Sequence, residues 1–219
     1  MWNAEQWIAQ LQRKIRSTFG ARLRFIGLQG SYRRGEATKH SDIDLVVILD
    51  ELHLADLAAY RCLVKEMPHP EKACGFVSGE AELRAWPKND LFQFYHDTEP
   101  LYGSLDALIP EISRQDVEEA VRIQSANLYH AACHSYLFEE PQKNLPSLFK
   151  SVFFLLQAKA FLQTGRYAAD KAALAPLLSG EDADIFRLAQ QKEFSEEQME
   201  RHYDRLIQWA GNSLLEQER

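Results

Sequence analysis

Apolar and polar positions in the N-terminal half of the chain follow patterns that predict both helices and strands. Apolar side chains from Trp7 to Phe19 recur at helical spacing, and Gly20 follows them as a stop signal. Residues 23–28 have the pattern of a strand, and the nearly continuous apolar run 43–49 predicts a strand buried on both faces. The remaining predicted elements are helices over 54–66 and 80–86, a strand over 73–77, and an ambiguous segment over 91–95.

The C-terminal half shows helical spacing alone. Ser113 begins a capping box that opens one helix, and Ser195 begins a similar one further along. Residues 144–146 place a proline near the first turn of a long apolar helix, which Gly165 closes. No convincing strand is predicted after about residue 105.

Because strands occur in one half and helices dominate the other, we predict an α+β chain of two domains. Turn residues cluster at 103–106, which places the boundary there. We therefore expect an N-terminal mixed-sheet domain over residues 1–105 and an all-α helical bundle over residues 106–219.

The net negative charge of the chain argues against some classes of binding partner. The 219 residues carry a formal net charge of -7, with a pI near 5.5. A protein that binds long RNA or DNA through its phosphates usually has a basic face, so this acidity argues against such a partner. A compact or cationic substrate fits the charge better.

The cysteines and the apolar stretches predict a cytoplasmic protein. Cys62, Cys74 and Cys133 are scattered without metal-binding spacing, so we expect free, buried thiols in a reducing compartment. The first residues do not predict a signal peptide, because no basic segment precedes an apolar one. The apolar stretch 152–162 is too short to span a bilayer, so no membrane association is expected.

Two carboxylates at the start of a buried strand are the first sign of chemistry. Side chains at positions i and i+2 of a strand share one face, so Asp42 and Asp44 are expected to stand side by side. Two like charges at that distance repel each other and lose hydration. A divalent cation would offset this cost, and carboxylates are ligands that Mg²⁺ prefers. The alternative is that Asp42 ends a turn and Asp44 lies at an edge.

A glycine and a serine end the preceding strand, which adds anion-binding chemistry. Gly30 lets the backbone approach a ligand closely, and a following helical turn would present N–H groups to an anion. Ser31 adds a hydroxyl donor. Arg33 and Arg34 follow it, and the guanidinium group is well shaped for phosphate oxygens.

These two groups of residues together form a recognisable motif. Residues 30–35, Gly-Ser-Tyr-Arg-Arg-Gly, are followed after five residues by Ser-Asp-Ile-Asp-Leu at 41–45. This arrangement resembles the signature of the DNA polymerase β-like nucleotidyltransferase superfamily. Its form is closest to the small prokaryotic branch that includes the minimal nucleotidyltransferases and kanamycin nucleotidyltransferase.

The resemblance implies a mixed sheet with helices on one side and a nucleoside triphosphate, expected to be ATP, bound with two Mg²⁺ ions. Within it, Asp42 and Asp44 correspond to the catalytic metal ligands. The nucleotide-binding residues it implies are Gly30, Ser31, Arg34 and Ser41.

The family pattern also implies a third carboxylate on a later strand beside the first two. The predicted strand 73–77 contains no acidic residue. The nearest candidates are Glu71 and Glu80, which flank that strand, and Asp97 on the next segment. Each is otherwise expected to be a solvated surface charge.

The predicted helical domain carries a fainter resemblance. Residues 145–148, Leu-Pro-Ser-Leu, lead into a long apolar helix that is similar to the helical domain of kanamycin nucleotidyltransferase and its relatives. In those enzymes this domain supplies a general base, often across a dimer interface. Glu118 and Glu119 are the candidates here, although acidic residues early in a helix also favour its dipole.

The sequence therefore predicts an enzyme that transfers a nucleoside monophosphate, expected to be AMP, from Mg-NTP to a hydroxyl of a small molecule. By resemblance the acceptor would be aminoglycoside-like and the protein a homodimer. Two alternatives stay open. One is a transferase that modifies a protein side chain, as an antitoxin does. The other is a degenerate member that acts as a nucleotide-binding or interaction module, which the missing third carboxylate favours.

Overall fold

The computed structural model describes residues 3–191 and 194–216. Its contacts divide the chain into two compact units. The first unit contains the chain up to Pro87 together with Phe94–Glu111, and the second contains Lys88–Gln93 together with the chain from Ile112 onward. The predicted boundary near residues 103–106 stays a prediction.

The first unit holds every strand of the described residues. Its elements in chain order are α1 (Ala4–Phe19), β1 (Leu23–Gln29), α2 (Gly30–Arg33), β2 (Ile43–Leu49), α3 (Leu54–Lys65), β3 (Ala73–Gly79), α4 (Glu80–Arg84), part of α5 (Lys88–His96) and β4 (Glu99–Tyr102). The four strands form one sheet in the order β3-β2-β1-β4. β1 pairs antiparallel with β2 and β4, whereas β2 and β3 run parallel.

Local sequence explains why these elements form. The side chain of Asn3 caps α1, and the backbone beyond Phe19 turns at Gly20, whose φ is 52°. In β2 the side chains are buried on both faces apart from Asp44, as its continuous apolar run predicts. The core of this unit lies between the sheet and its helices, and α1 contributes one face of it through Trp7, Leu11, Ile15 and Phe19.

Among the described residues, the regular elements of the second unit are all helices. It contains the first part of α5 and the helices α6 (Arg114–Phe138), α7 (Pro141–Thr164), α8 (Lys171–Leu174), α9 (Gly180–Ala189) and α10 (Met199–Glu216). Ser113 and Asp116 form the predicted capping box of α6. Helix α7 is the central helix, because apolar side chains are buried around most of its circumference. The prediction of an α+β fold is confirmed.

Three predictions about these elements are wrong. Helix α7 begins at Pro141 rather than at residues 144–146, so Pro146 lies inside the helix. Ser195 precedes a short 3₁₀ segment and makes no side-chain capping bond, and α10 begins only at Met199. Finally, Cys62 and Cys74 are free but exposed, because each lies on an outward-facing position rather than in the core.

Helix α7 also bears on the question of a membrane. Among the described residues it is a helix long and apolar enough to cross a bilayer by length and composition. In its most apolar window, 61% of the residues are buried inside the protein. This burial is what the core helix of a folded helical unit shows.

Candidate functional site

The backbone at Gly30 brings the start of α2 against a carboxylate of β2. Gln29 of β1 pairs directly with Asp44 of β2, so the chain leaves β1 and turns into α2 next to the Asp44 side chain. Gly30 has a φ of 72°, and a Cβ built there would lie 2.1 Å from Oδ2 of Asp44. Only glycine allows this close approach without displacing the carboxylate.

Asp42 and Asp44 are brought together at this end of the sheet. Asp42 is exposed immediately before β2, and Asp44 is half-buried within it. Burial raises the pKa of the Asp44 carboxyl above its ordinary value, and the negative charges of Asp42 and Asp97 raise it further. A cation bound here would remove the repulsion that these charges create.

Cys74 lies beside Asp44 on the neighbouring strand. The parallel register of β2 and β3 pairs Asp44 with Cys74, so the two side chains are neighbours on one face of the sheet. Although Cys74 is exposed, partial desolvation of its thiol and the adjacent Asp44 carboxylate both raise the pKa of the thiol. The register therefore places Cys74, which is not acidic, beside Asp44 on the later strand. The sequence could not show this, because the register of a parallel pair is not visible in it.

Asp97, one of the three candidates for the third carboxylate, lies near the site but is bound by arginines. It is buried in the turn between α5 and β4. Nη1 of Arg34 donates to both of its carboxylate oxygens, at 2.8 and 3.1 Å, and Nη1 of Arg33 lies 3.5 Å from Oδ1. Because these arginines neutralise it, Asp97 acts on the site mainly by holding Arg34 in place.

Lys72, which no sequence pattern indicated, holds the loop between α2 and β2 through hydrogen bonds. Nζ of Lys72 donates to the carbonyl oxygens of Lys39 and Ser41, at 2.7 and 3.0 Å. The Ser41 hydroxyl accepts from the backbone N–H of Thr38 at 2.9 Å. These bonds fix the segment that delivers Asp42 to the end of β2.

The other candidate acids have partners of their own. Glu71 lies 3.2 Å from His69, and Glu80 lies 3.0 Å from Arg84. In the second unit, Glu118 and Glu119 lie in the first turns of α6, where Arg114 and Arg122 pair with them, respectively. The bond from Arg122 lowers the pKa of Glu119.

The donor set at Asp42 and Asp44 suits a cation that arrives with its substrate. Over residues 3–191 and 194–216, no group of three or more His, Cys, Asp or Glu side chains is arranged to hold a metal ion. Mg²⁺ is commonly held by one or two carboxylates and completes its shell with substrate phosphates and water. Asp44 beside the N-terminus of α2, which attracts anions, with Asp42 two residues away, matches that mode.

Comparison with known families agrees with this geometry. A family model described as a nucleotidyltransferase domain matches residues 8–120. This match includes all four strands and the whole of the Gly30 to Asp44 segment. No curated protein sequence matches the chain significantly.

Two solved structures resemble the fold. Spectinomycin adenyltransferase AAD(9) from Enterococcus faecialis, crystallised with ATP and spectinomycin, aligns with a TM-score of 0.61 and 17% identity over 97% of this chain and 99% of that one. A nucleotidyltransferase-like protein from Exiguobacterium sibiricum 255-15 aligns over 95% of this chain and 75% of that one, with 15% identity and a TM-score of 0.35. The first similarity establishes a shared fold over nearly the whole chain, and the second is too low to support an argument.

Proposed function

The chain belongs to the nucleotidyltransferase domain family, and we propose that it transfers AMP from Mg-ATP to a hydroxyl of a small-molecule acceptor. The observation that carries this proposal is the contact between Gly30 and Asp44. It joins the start of α2, whose N–H groups attract anions, to Asp44, a carboxylate whose charged form is disfavoured by burial and by the neighbouring Asp42, an effect that Arg34 opposes only in part. A triphosphate with a bound divalent ion would bring both an anion for the start of α2 and a cation for the two carboxylates.

Each residue of the site has a proposed role. Asp42 and Asp44 would hold Mg²⁺, which neutralises the triphosphate and activates the attacking oxygen when it is bound. The backbone at Gly30 and the hydroxyl of Ser31 would hold the phosphate tail, since the N-terminus of α2 begins there. Catalysis would then consist of positioning and charge neutralisation, which is the usual contribution of the protein in phosphoryl transfer.

Arg34 and Ser41 are proposed to support the nucleotide from the two ends of the loop. Arg34 is fixed by Asp97, so its guanidinium is already oriented before a ligand binds. Ser41 is held through its carbonyl by Lys72 and through its hydroxyl by Thr38. A preorganised loop loses less entropy when the nucleotide binds.

The acceptor is proposed to be a cationic, hydroxyl-bearing small molecule. A formal net charge of -7 favours such a ligand over a polyanion. The structural neighbour crystallised with spectinomycin also makes aminoglycoside-like compounds the first class to test. Glu118 and Glu119 are the proposed candidates for the general base, and each forms an ion pair with an arginine of α6. A cytoplasmic location and a homodimer are proposed from the sequence alone.

A second candidate function rests on Cys74. A thiol beside Asp44 is a poorer ligand for Mg²⁺ than a carboxylate, so the chain would hold a metal less firmly than a site with three acids. On that observation the chain would be a degenerate member that binds nucleotide without turning it over. Transfer to a protein side chain has no comparable observation in its favour.

The experiment that tests the proposal uses ATP labelled in its α-phosphate, Mg²⁺ and a panel of aminoglycosides. We expect a labelled acceptor and released pyrophosphate with the wild-type chain, and neither with Asp42→Asn or Asp44→Asn. Asp90→Asn, which changes an exposed carboxylate on α5, serves as the matched control and should retain transfer. Nucleotide binding with no labelled product from any acceptor would favour the degenerate alternative.

A further inference from the structure

A cavity in the second unit is lined by arginines. It lies between α9 and the first turns of α10, with Gln191 and Gln198 also in its lining, and its volume is about 400 Å³. Arg187 comes from α9, and Arg201 and Arg205 come from α10. Because Arg201 and Arg205 are four residues apart on one helix, their side chains lie on the same face.

The charge around this cavity is strongly unbalanced. Among the described residues that line it, Asp184 is the one carboxylate; it contacts the guanidinium of Arg187 and lies 3.4 Å from Nη2 of Arg205. Within residues 3–191 and 194–216, no carboxylate forms an ion pair with Arg201. Three guanidinium groups against one carboxylate is the reverse of the balance in the whole chain, which has a net charge of -7.

Asp184 gives this arrangement a defined geometry. By contacting Arg187 and Arg205 at once, its carboxylate holds two guanidinium groups on one side of the cavity. Like charges that are held together repel each other, and a bound anion would remove that cost. Guanidinium groups bind phosphate oxygens through paired N–H donors, which makes arginine the residue best suited to this anion.

Neutral polar groups complete the lining. Gln191 and Gln198 contribute side-chain amides that can donate to oxygen. His202 also lines the cavity, and its Nε2 is buried without a hydrogen-bond partner among the described residues. The amides of Gln191 and Gln198 therefore add neutral donors to the positive charge of the arginines.

We propose that this cavity is an anion site of the helical unit that binds the phosphate groups of a small molecule. It shares no residue with the Gly30 to Asp44 site and needs no divalent metal, because arginines supply the positive charge. Cavities of about this size hold small molecules. The phosphates could belong to free pyrophosphate, which nucleotidyl transfer releases, or to a nucleotide.

The test is calorimetric titration of the full-length protein with pyrophosphate, and separately with ATP, in a chelating buffer without divalent metal. We expect saturable binding of pyrophosphate to the wild-type chain. Arg201→Gln removes a guanidinium that has no ion pair to lose, so the fold should be retained, and we expect Kd to rise by about tenfold. Arg205→Gln should weaken binding in the same direction.

Two controls make the result decisive. Arg13→Gln removes an exposed arginine from the first unit and should leave Kd unchanged. Asp42→Asn disables the proposed metal site and should also leave metal-free binding intact, so failure of the anion site and failure of the transferase proposal are distinguishable. Binding of ATP but not pyrophosphate would support the site with a nucleotide as its ligand. Absence of saturable binding by either compound, or equal losses in Arg201→Gln and Arg13→Gln, would overturn the proposal.

Discussion

Substitution of Gly30 by alanine should have two effects. Backbone strain should lower the stability of the fold, and displacement of the Asp44 carboxylate should lower the rate of nucleotidyl transfer. The φ of Gly30 is 72°, a conformation that costs an L-residue about 1–2 kcal/mol. In addition, the new Cβ would lie 2.1 Å from Oδ2 of Asp44, whereas ordinary contacts begin at 3.4 Å. The carboxylate would therefore have to move by about 1 Å, and a displacement of that size at a reacting group costs on the order of 100-fold in rate.

Gly165 provides a matched control for this experiment. It has a φ of 69°, and a Cβ built there meets no atom within 4 Å. Gly165→Ala should lower the free energy of unfolding by about 1–2 kcal/mol without changing the rate of nucleotidyl transfer. Gly30→Ala should show a similar or larger loss of stability together with the loss of rate.

Urea denaturation followed by circular dichroism measures the free energy of unfolding. Pyrophosphate release with saturating Mg-ATP measures the rate of nucleotidyl transfer. Transfer of AMP by Gly30→Ala at the wild-type rate would show that the approach of Gly30 to Asp44 does not matter for activity. An equal loss of rate in Gly165→Ala and Gly30→Ala would show that backbone strain alone causes the effect.

Three further predictions concern the surroundings of the site and the two cores. Asp97→Asn should weaken the hold on Arg34, lower stability by about 1.5–3 kcal/mol, and raise the Kd for Mg-ATP in a fluorescence titration. An arginine bond lowers the pKa of Asp56 to about 2 from its ordinary 3.8, so its stabilisation is complete above pH 3.8 and is lost as the pH falls toward about 2. Asp56→Asn should accordingly flatten the pH dependence of the denaturation midpoint in that range. Leu156→Ala, at a fully buried position of α7, should cost about 2–5 kcal/mol. Leu137→Ala, at a position 66% exposed, should change the unfolding free energy by less than about 0.5 kcal/mol.

The elements that the sequence predicts well are those with a strong local signal. Strand β2 has the predicted bounds, because an unbroken apolar run flanked by polar residues leaves little choice. Helix α1 ends where Gly20 predicts, since a left-handed backbone there stops the helix. The Gly30 to Asp44 segment could also be recognised from local sequence, because its residues are close in the chain as well as in space.

The elements that the sequence predicts poorly have conflicting local signals. Strand β4 contains Pro100, which argues against a strand, yet an edge strand tolerates proline because one side needs no hydrogen bonds. The start of α7 is predicted too late, at residues 144–146, because Pro146 suits a first turn and so does Pro141, which begins the helix. Tertiary packing of the apolar residues favours a helix that begins at Pro141.

The remaining site residues depend on contacts between distant parts of the chain. Cys74 lies beside Asp44 only because β2 and β3 run parallel in one register. Asp97 reaches Arg34 across 63 residues of sequence. Strand register and turn packing determine both contacts, and neither leaves a periodic signal in the sequence.

We propose that Asp42 and Asp44 hold the metal of a bound nucleoside triphosphate. Titration of ATP into the wild-type chain, with and without Mg²⁺, is the direct test. We expect saturable binding that requires Mg²⁺ and is lost in Asp42→Asn and Asp44→Asn, while Asp90→Asn binds as the wild type does. Absence of ATP binding at every Mg²⁺ concentration, or Mg²⁺-dependent binding that survives both substitutions, would contradict the proposal.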